Sequence, residues 1–150
     1  MRERLRAHVN VTIAKMDART GRLREIVRAH NLVSNVGLNQ LRDALAGEAV
    51  TFPTHFALGT GSTAPASGDV ALEAEVYREQ ITQTTKPGTG HVQYRQYLSS
   101  QDGNGYNFAE AGLFNAAAGG DLFARVTFSP DEKTNAEAWT LTWDVTVVNA

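Results

Sequence analysis

The chain of 150 residues has no cysteine. That absence excludes disulfides, thiolate nucleophiles and cysteine metal sites, and it removes redox chemistry as a guide to compartment. No apolar run approaches the roughly 20 residues of a membrane-spanning helix. The opening MRERLRAHVNVTI is basic but lacks a continuous apolar stretch, so it is not a secretory signal, and synthesis in the cytosol is expected. Net charge is low, −2 at pH 7, which argues against general nucleic-acid binding. What remains is a chain of ordinary apolar content, long enough to bury one real core.

The charge it does carry is unevenly placed. Residues 1–28 hold eight bases (Arg2, Arg4, Arg6, Lys15, Arg19, Arg22, Arg24, Arg28) against three acids (Glu3, Asp17, Glu25). The rest holds six bases and thirteen acids. A basic start on an acidic body predicts electrostatic docking between neighbouring subunits, with Arg2, Arg4, Arg6, Arg19, Arg22 and Arg24 as candidate contacts. A solvated charged hairpin is the plainer alternative. Residues 1–8 are expected as a basic arm and residues 9–150 as a single β-rich domain.

Period-two alternation dominates the pattern. Val9, Val11 and Ile13 alternate with polar residues, DARTG follows at 17–21, and Leu23, Glu25 and Val27 alternate again, which predicts a hairpin. One helix is expected, over about residues 32–46. Leu38, Leu41 and Leu45 share a helical face there, Asn31 or Ser34 is placed to cap it, and Gly47 stands where a left-handed residue is wanted. Gly37 inside it costs about 1 kcal/mol and allows close packing against a strand. The helix should cover one face or end of the sheets.

Further strands are expected at Thr54–Leu58, at Val76–Thr85 after a helical turn, and at His91–Leu98. Others follow at Asn107–Phe114 and from Leu122 to Phe128, with Pro130 ending the last of these. WTLTWDVTV gives the clearest alternation. Trp139, Leu141, Trp143, Val145 and Val147 face a core, while Thr140, Thr142, Asp144 and Thr146 face solvent or a partner. The fold class expected is mainly β: a sandwich or barrel of antiparallel sheets with an N-terminal hairpin and one packed helix.

The chemistry-bearing motifs are weak. HFALGTGSTAP, residues 55–65, has the small residues of a phosphate loop but no lysine, and Pro65 follows where a helix would have to start. DGNGYNFAE at 102–110 has calcium-like spacing at Asp102 and Asn104. Tyr106 stands in a ligand position, however, and Glu110 falls short of the last one, so a surface turn is favoured. His8, His30, His55 and His91 are scattered, without the close spacing of a zinc site. Asp144 and Glu110 are the acids expected beside a sheet, with structural hydrogen bonds favoured over catalysis. No catalytic, cofactor-binding or metal residue is assigned.

Four stretches taken in order resemble small virion proteins of tailed bacteriophages, including the baseplate-docking N-terminal domains of tail fibres. They are HNLVSNVGLNQLRDALAG (30–47), FALGTGSTAPASGDVALEAEVYREQI (56–81), EAGLFNAAAGGDLFARVTF (110–128) and WTLTWDVTVVN (139–149). The resemblance implies a non-enzymatic structural subunit of the virion. It would be without cofactors, membrane or nucleic acid, homo-oligomeric (often a trimer), and docked on neighbouring phage structural proteins. It also implies turn and packing roles for Gly59, Gly61, Leu72, Val76, Leu113 and Phe114, beside the core candidates Trp139 and Trp143. An Arg78–Glu110 ion pair is a further expectation.

A tail fibre continues into a shaft, whereas this sequence ends at Ala150. That leads to a preference for capsid decoration over tail or baseplate attachment. A carbohydrate- or receptor-binding sandwich using Tyr94, Tyr97 and Tyr106 ranks below both.

Overall fold

Strand alternation builds two sheets, and the helix lies in sequence between two strands of the second. In the computed structural model, which describes residues 3–30 and 32–150, the strands are β1 (Leu5–Asp17), β2 (Leu23–His30), β3 (Leu32–Val33), β4 (His55–Gly59) and β5 (Glu75–Gln80). They continue as β6 (Gln83–Gly88), β7 (His91–Leu98), β8 (Asn107–Phe114), β9 (Leu122–Glu132) and β10 (Glu137–Asn149). The helix α1 (Asn35–Leu45) follows β3. One sheet has the order β2-β1-β10-β7-β6 and the other β3-β9-β8-β4-β5, with every pairing antiparallel. The expected mainly-β sandwich is the fold of this chain.

The core forms where the inner faces meet. Val9, Val11, Ile13, Leu141 and Val145 of the first sheet pack with Phe56, Leu58, Leu113 and Val126 of the second. Trp143 meets Phe56 edge to face at 6.1 Å, and Trp139 meets Phe108 at 5.8 Å. Aromatic rings prefer this geometry because the positive ring edge points at the negative ring face. Trp139, Trp143, Leu113 and Phe114 are all buried.

β1 pairs with β10 over its whole length, from Leu5 against Asn149 to Asp17 against Glu137, and the backbone N–H of Ala150 donates to Arg4. From Leu5 onward the residues expected as an arm are thus the first part of a central strand. Arg2 and the alternative cap Asn31 lie outside the described residues.

The β1–β2 turn shows how local chemistry sets an element. Asp17 Oδ1 accepts from the backbone N–H groups of Arg19 and Thr20, its Oδ2 from Arg24, and Gly21 closes the turn at φ +71°. These bonds, chiefly that of Thr20 and then Arg24, hold the Asp17 pKa down to about 2 from its ordinary 3.8. The folded hairpin therefore favours the ionised form, so its support is complete above the ordinary value and is lost as pH falls towards about 2. Asp17→Ala is expected to have a lower thermal midpoint than the wild type at neutral pH. That gap should close as acid approaches the depressed pKa, and a gap that stays constant in a pH series of melting curves would count against the account.

Three expected elements differ. The helical turn before β5 is absent: residues 71–74 are irregular, because Glu73 and Ala74 spend their N–H groups on a carboxylate described below. The predicted Val76–Thr85 strand is two strands, β5 in one sheet and β6 in the other, parted at Ile81–Thr82. β9 does not end at Pro130 but runs to Glu132. Its register against β8 shifts between Glu110–Thr127 and Phe108–Asp131, and the proline sits in that irregularity, where no ladder N–H is required.

Candidate docking surfaces

Residues 60–74, between β4 and β5, form a strap over the outer face of the second sheet. Leu72 seats against Ala57, Phe114 and Leu122 on that face. Gly112 leaves it room, since a Cβ there would lie 2.8 Å from Leu72 Cδ2. β8 is consequently buried on both sides from Phe108 to Phe114.

A buried ion pair clasps the strap. Glu110 is fully buried and accepts from the backbone N–H groups of Gly61 (3.2 Å), Glu73 (3.0 Å) and Ala74 (2.7 Å), and from Arg125 Nε (2.9 Å). Arg125 spends its other nitrogens on Asp69 (3.1 Å) and the Thr63 carbonyl (2.9 Å). A buried carboxylate requires this satisfaction, because an unpaired charge in an apolar interior costs several kcal/mol. The glycine loop does bind an anion, and the anion is the chain's own Glu110.

Gly59 and Gly61 are glycines for space. Neither has a positive φ. A Cβ on Gly59 would collide with Glu110 Oε1 and lie 2.6 Å from the Ala74 carbonyl, and one on Gly61 would lie 2.8 Å from Glu110 Oε1. The expected Arg78–Glu110 pair is replaced by Arg125–Glu110. Arg78 instead lies 3.7 Å over the Phe114 ring, forks to Glu75, and donates to the carbonyls of Ala116 and Gly119.

The DGNG turn also holds a cation. Lys133 is buried, and its Nζ donates to the Ser99 carbonyl (2.7 Å) and Asn104 Oδ1 (3.0 Å), while Asp102 Oδ2 accepts from Ser99 N–H. An ammonium thus takes the Asn104 oxygen that the calcium reading would need, and burial lowers its pKa. Among the described residues no cluster of acidic or histidine side chains is arranged for a metal. Asp144 accepts from Gln93 and pairs with His91 Nε2 at 2.7 Å on the outer face of the first sheet.

Two surfaces remain open. One is that outer face, where Arg28, Thr12, Thr142 and Arg95 form a row across four strands. The other surrounds α1. Ser34 caps the helix, accepting from Gly37 N–H at 3.0 Å and donating to the Leu122 carbonyl, and Gly37 lets it approach the β9 backbone. The side pressed on the sheet is therefore that of Gly37 and Gln40. Of the leucines expected to share one helical face, Leu41 packs against the core, while Leu38 and Leu45 face outward at 47% and 84% exposure. With Leu5, Leu41 and Val147 they line an apolar groove of about 540 Å³.

A protein-family model, Phage tail-collar fibre protein, N-terminal, matches residues 29–149. The chain belongs to this family. No curated protein and no solved structure matches it. The family supports a structural role in a phage tail and a place in the virion; the preference for capsid decoration finds no support in it, and the tail reading fits better. The match spans α1, the strap, the Glu110–Arg125 clasp and β10, whereas β1 and most of β2 precede it.

The candidate arginines sit on that preceding segment. Arg4, Arg6, Arg19, Arg22 and Arg24 are exposed, with Arg24 paired to Asp17, and they are spread from just before β1, through the β1–β2 turn, to the start of β2. The tyrosines do not form one stacking surface, since Tyr94 is buried while Tyr97 and Tyr106 are exposed. Arg125 and Lys133 are not singled out by the sequence; a lone charge inside an alternating strand, as at Arg125 between Ala124 and Val126, is the available signal.

Proposed function

We propose that this chain is a non-enzymatic attachment domain of a phage tail: a homo-oligomeric subunit that docks on neighbouring tail or baseplate proteins. The observation that carries this reading is the family match over residues 29–149. The fold agrees with it. The buried polar groups at Glu110, Arg125 and Lys133 are spent on internal bonds, as suits a rigid connector, and the open surfaces suit protein contacts.

Quantitative mass spectrometry of purified particles and of detached tails tests the assignment. The chain is expected in the tail fraction at few copies per particle. Abundance matching the major capsid protein, with none on detached tails, would restore the decoration reading.

A further inference from the structure

The outward leucines of α1 require a physical reason. An apolar stripe at i, i+3 and i+7 normally faces a core, yet here Leu45 is 84% exposed beside Leu5 at 65%. Water must order around this surface unless another chain covers it. A second apolar hollow, lined by Phe52, Val92 and Val147 among others, shares Leu41 and Val147 with the first.

The charged side chains lining these two hollows are Arg42 and Lys86, besides His91, and Arg4 and Arg6 flank Leu5 on β1. Asp43 pairs with Arg42 and offsets part of this charge. The lining itself carries no carboxylate.

The opposite combination lies on the strap and β5. Val70 is 67% exposed and Val76 36%. The same segment carries four carboxylates at its surface, Asp69, Glu73, Glu75 and Glu79, of which Asp69 pairs with Arg125 and Glu75 with Arg78. The segment GDVALEAEV is apolar points on an acidic ground, and the groove is an apolar floor with a basic rim.

We infer that the groove at α1 seats the strap of a second copy, with Val70 entering beside Leu45. The inference rests on the homo-oligomeric reading above and names its interface. The two patches differ, so the contact is heterologous: each copy gives its strap to one neighbour and its groove to the other, which closes into a ring when the rotation allows. An isologous groove-to-groove contact would bring basic rims together and is disfavoured by like-charge repulsion.

The absence of cysteine makes single cysteines unique reporters. Leu45→Cys and Val70→Cys are prepared separately in the full chain, then mixed with a short bis-maleimide. The expected product is a cross-linked pair containing one of each variant, with little product from either alone. Leu45→Glu, at an exposed site that folding tolerates, is expected to shift native mass from oligomer to monomer, and the wild-type oligomer should weaken as salt rises.

Self-cross-linking of Leu45→Cys, or an oligomer indifferent to Leu45→Glu, overturns this interface and leaves the tail assignment standing. A monomeric wild type overturns it as well. A monomer that is also absent from detached tails overturns the tail reading itself.

Discussion

Glu110→Ala is expected to destabilise the protein by about 3–5 kcal/mol, the cost of breaking a buried ion pair by removing one partner. For a chain of this size that lowers the thermal midpoint on the order of 10 °C. The loss is large because one carboxylate serves four donors. Gly61, Glu73 and Ala74 lose the acceptor for their N–H groups, and Arg125 keeps only Asp69, the Thr63 carbonyl and the more distant Glu73 carboxylate. The strap is then held by Leu72, by Arg125 through Asp69 and the Thr63 carbonyl, and by two backbone bonds, Thr60 N–H to the Ala74 carbonyl (3.0 Å) and Asn35 N–H to the Ser67 carbonyl (2.7 Å).

Limited proteolysis should show new cleavage inside residues 60–74 of this variant before the sheets melt. A compensated pair should behave differently. Glu110→Leu with Arg125→Met removes both charges, and the double variant is expected to lose less stability than the two single changes added together. Additive losses in denaturant titrations would mean that the two side chains act separately, and the clasp account would fail.

The strands that face one core and one solvent side were legible because alternation at period two has one cause, burial of a single face. β10 is the clearest case: Trp139, Leu141, Trp143 and Val145 lie inside, as their spacing requires. Ser34, Gly37 and Gly47 were legible for a similar reason, since caps and close approaches depend on local chemistry.

The orientation of α1 was not legible. Its apolar stripe names a face that wants covering, but a sequence does not say by what. Packing of Gly37 against β9 turned the neighbouring side inward, so that Leu41 reaches the core while Leu38 and Leu45 do not. The clasp escaped for another reason. Glu110 and Arg125 are fifteen residues apart, and the register that sets Glu110 opposite Thr127 and Arg125 opposite Gly112 depends on strand shifts at both ends of β8. Lys133 was hidden likewise, because its ligands come from the 99–104 loop, about thirty residues earlier.

Gly59→Ala is expected to cost about 3 kcal/mol, at the upper end of ordinary overpacking. The usual argument for glycine does not apply here, since its φ is not positive. The new methyl would meet Glu110 Oε1 and the Ala74 carbonyl at 2.6 Å, and neither is free to move. The carboxylate is fixed by its four donors, and the carbonyl accepts from Thr60. Two controls separate space from backbone freedom. Gly21→Ala meets nothing within 4 Å but sits at φ +71°, so its loss is conformational, about 1 kcal/mol. Gly112→Ala meets the ends of Leu72 (2.8 Å) and Leu122 (3.0 Å), which shift more readily, so its cost should fall below that of Gly59→Ala. The decisive measurement is Gly59→Ala in the Glu110→Ala background. There the penalty should shrink, because one of the two obstructing groups is gone, and an unchanged penalty would show that the HFALGTG turn keeps its glycine for some reason other than the carboxylate it encloses.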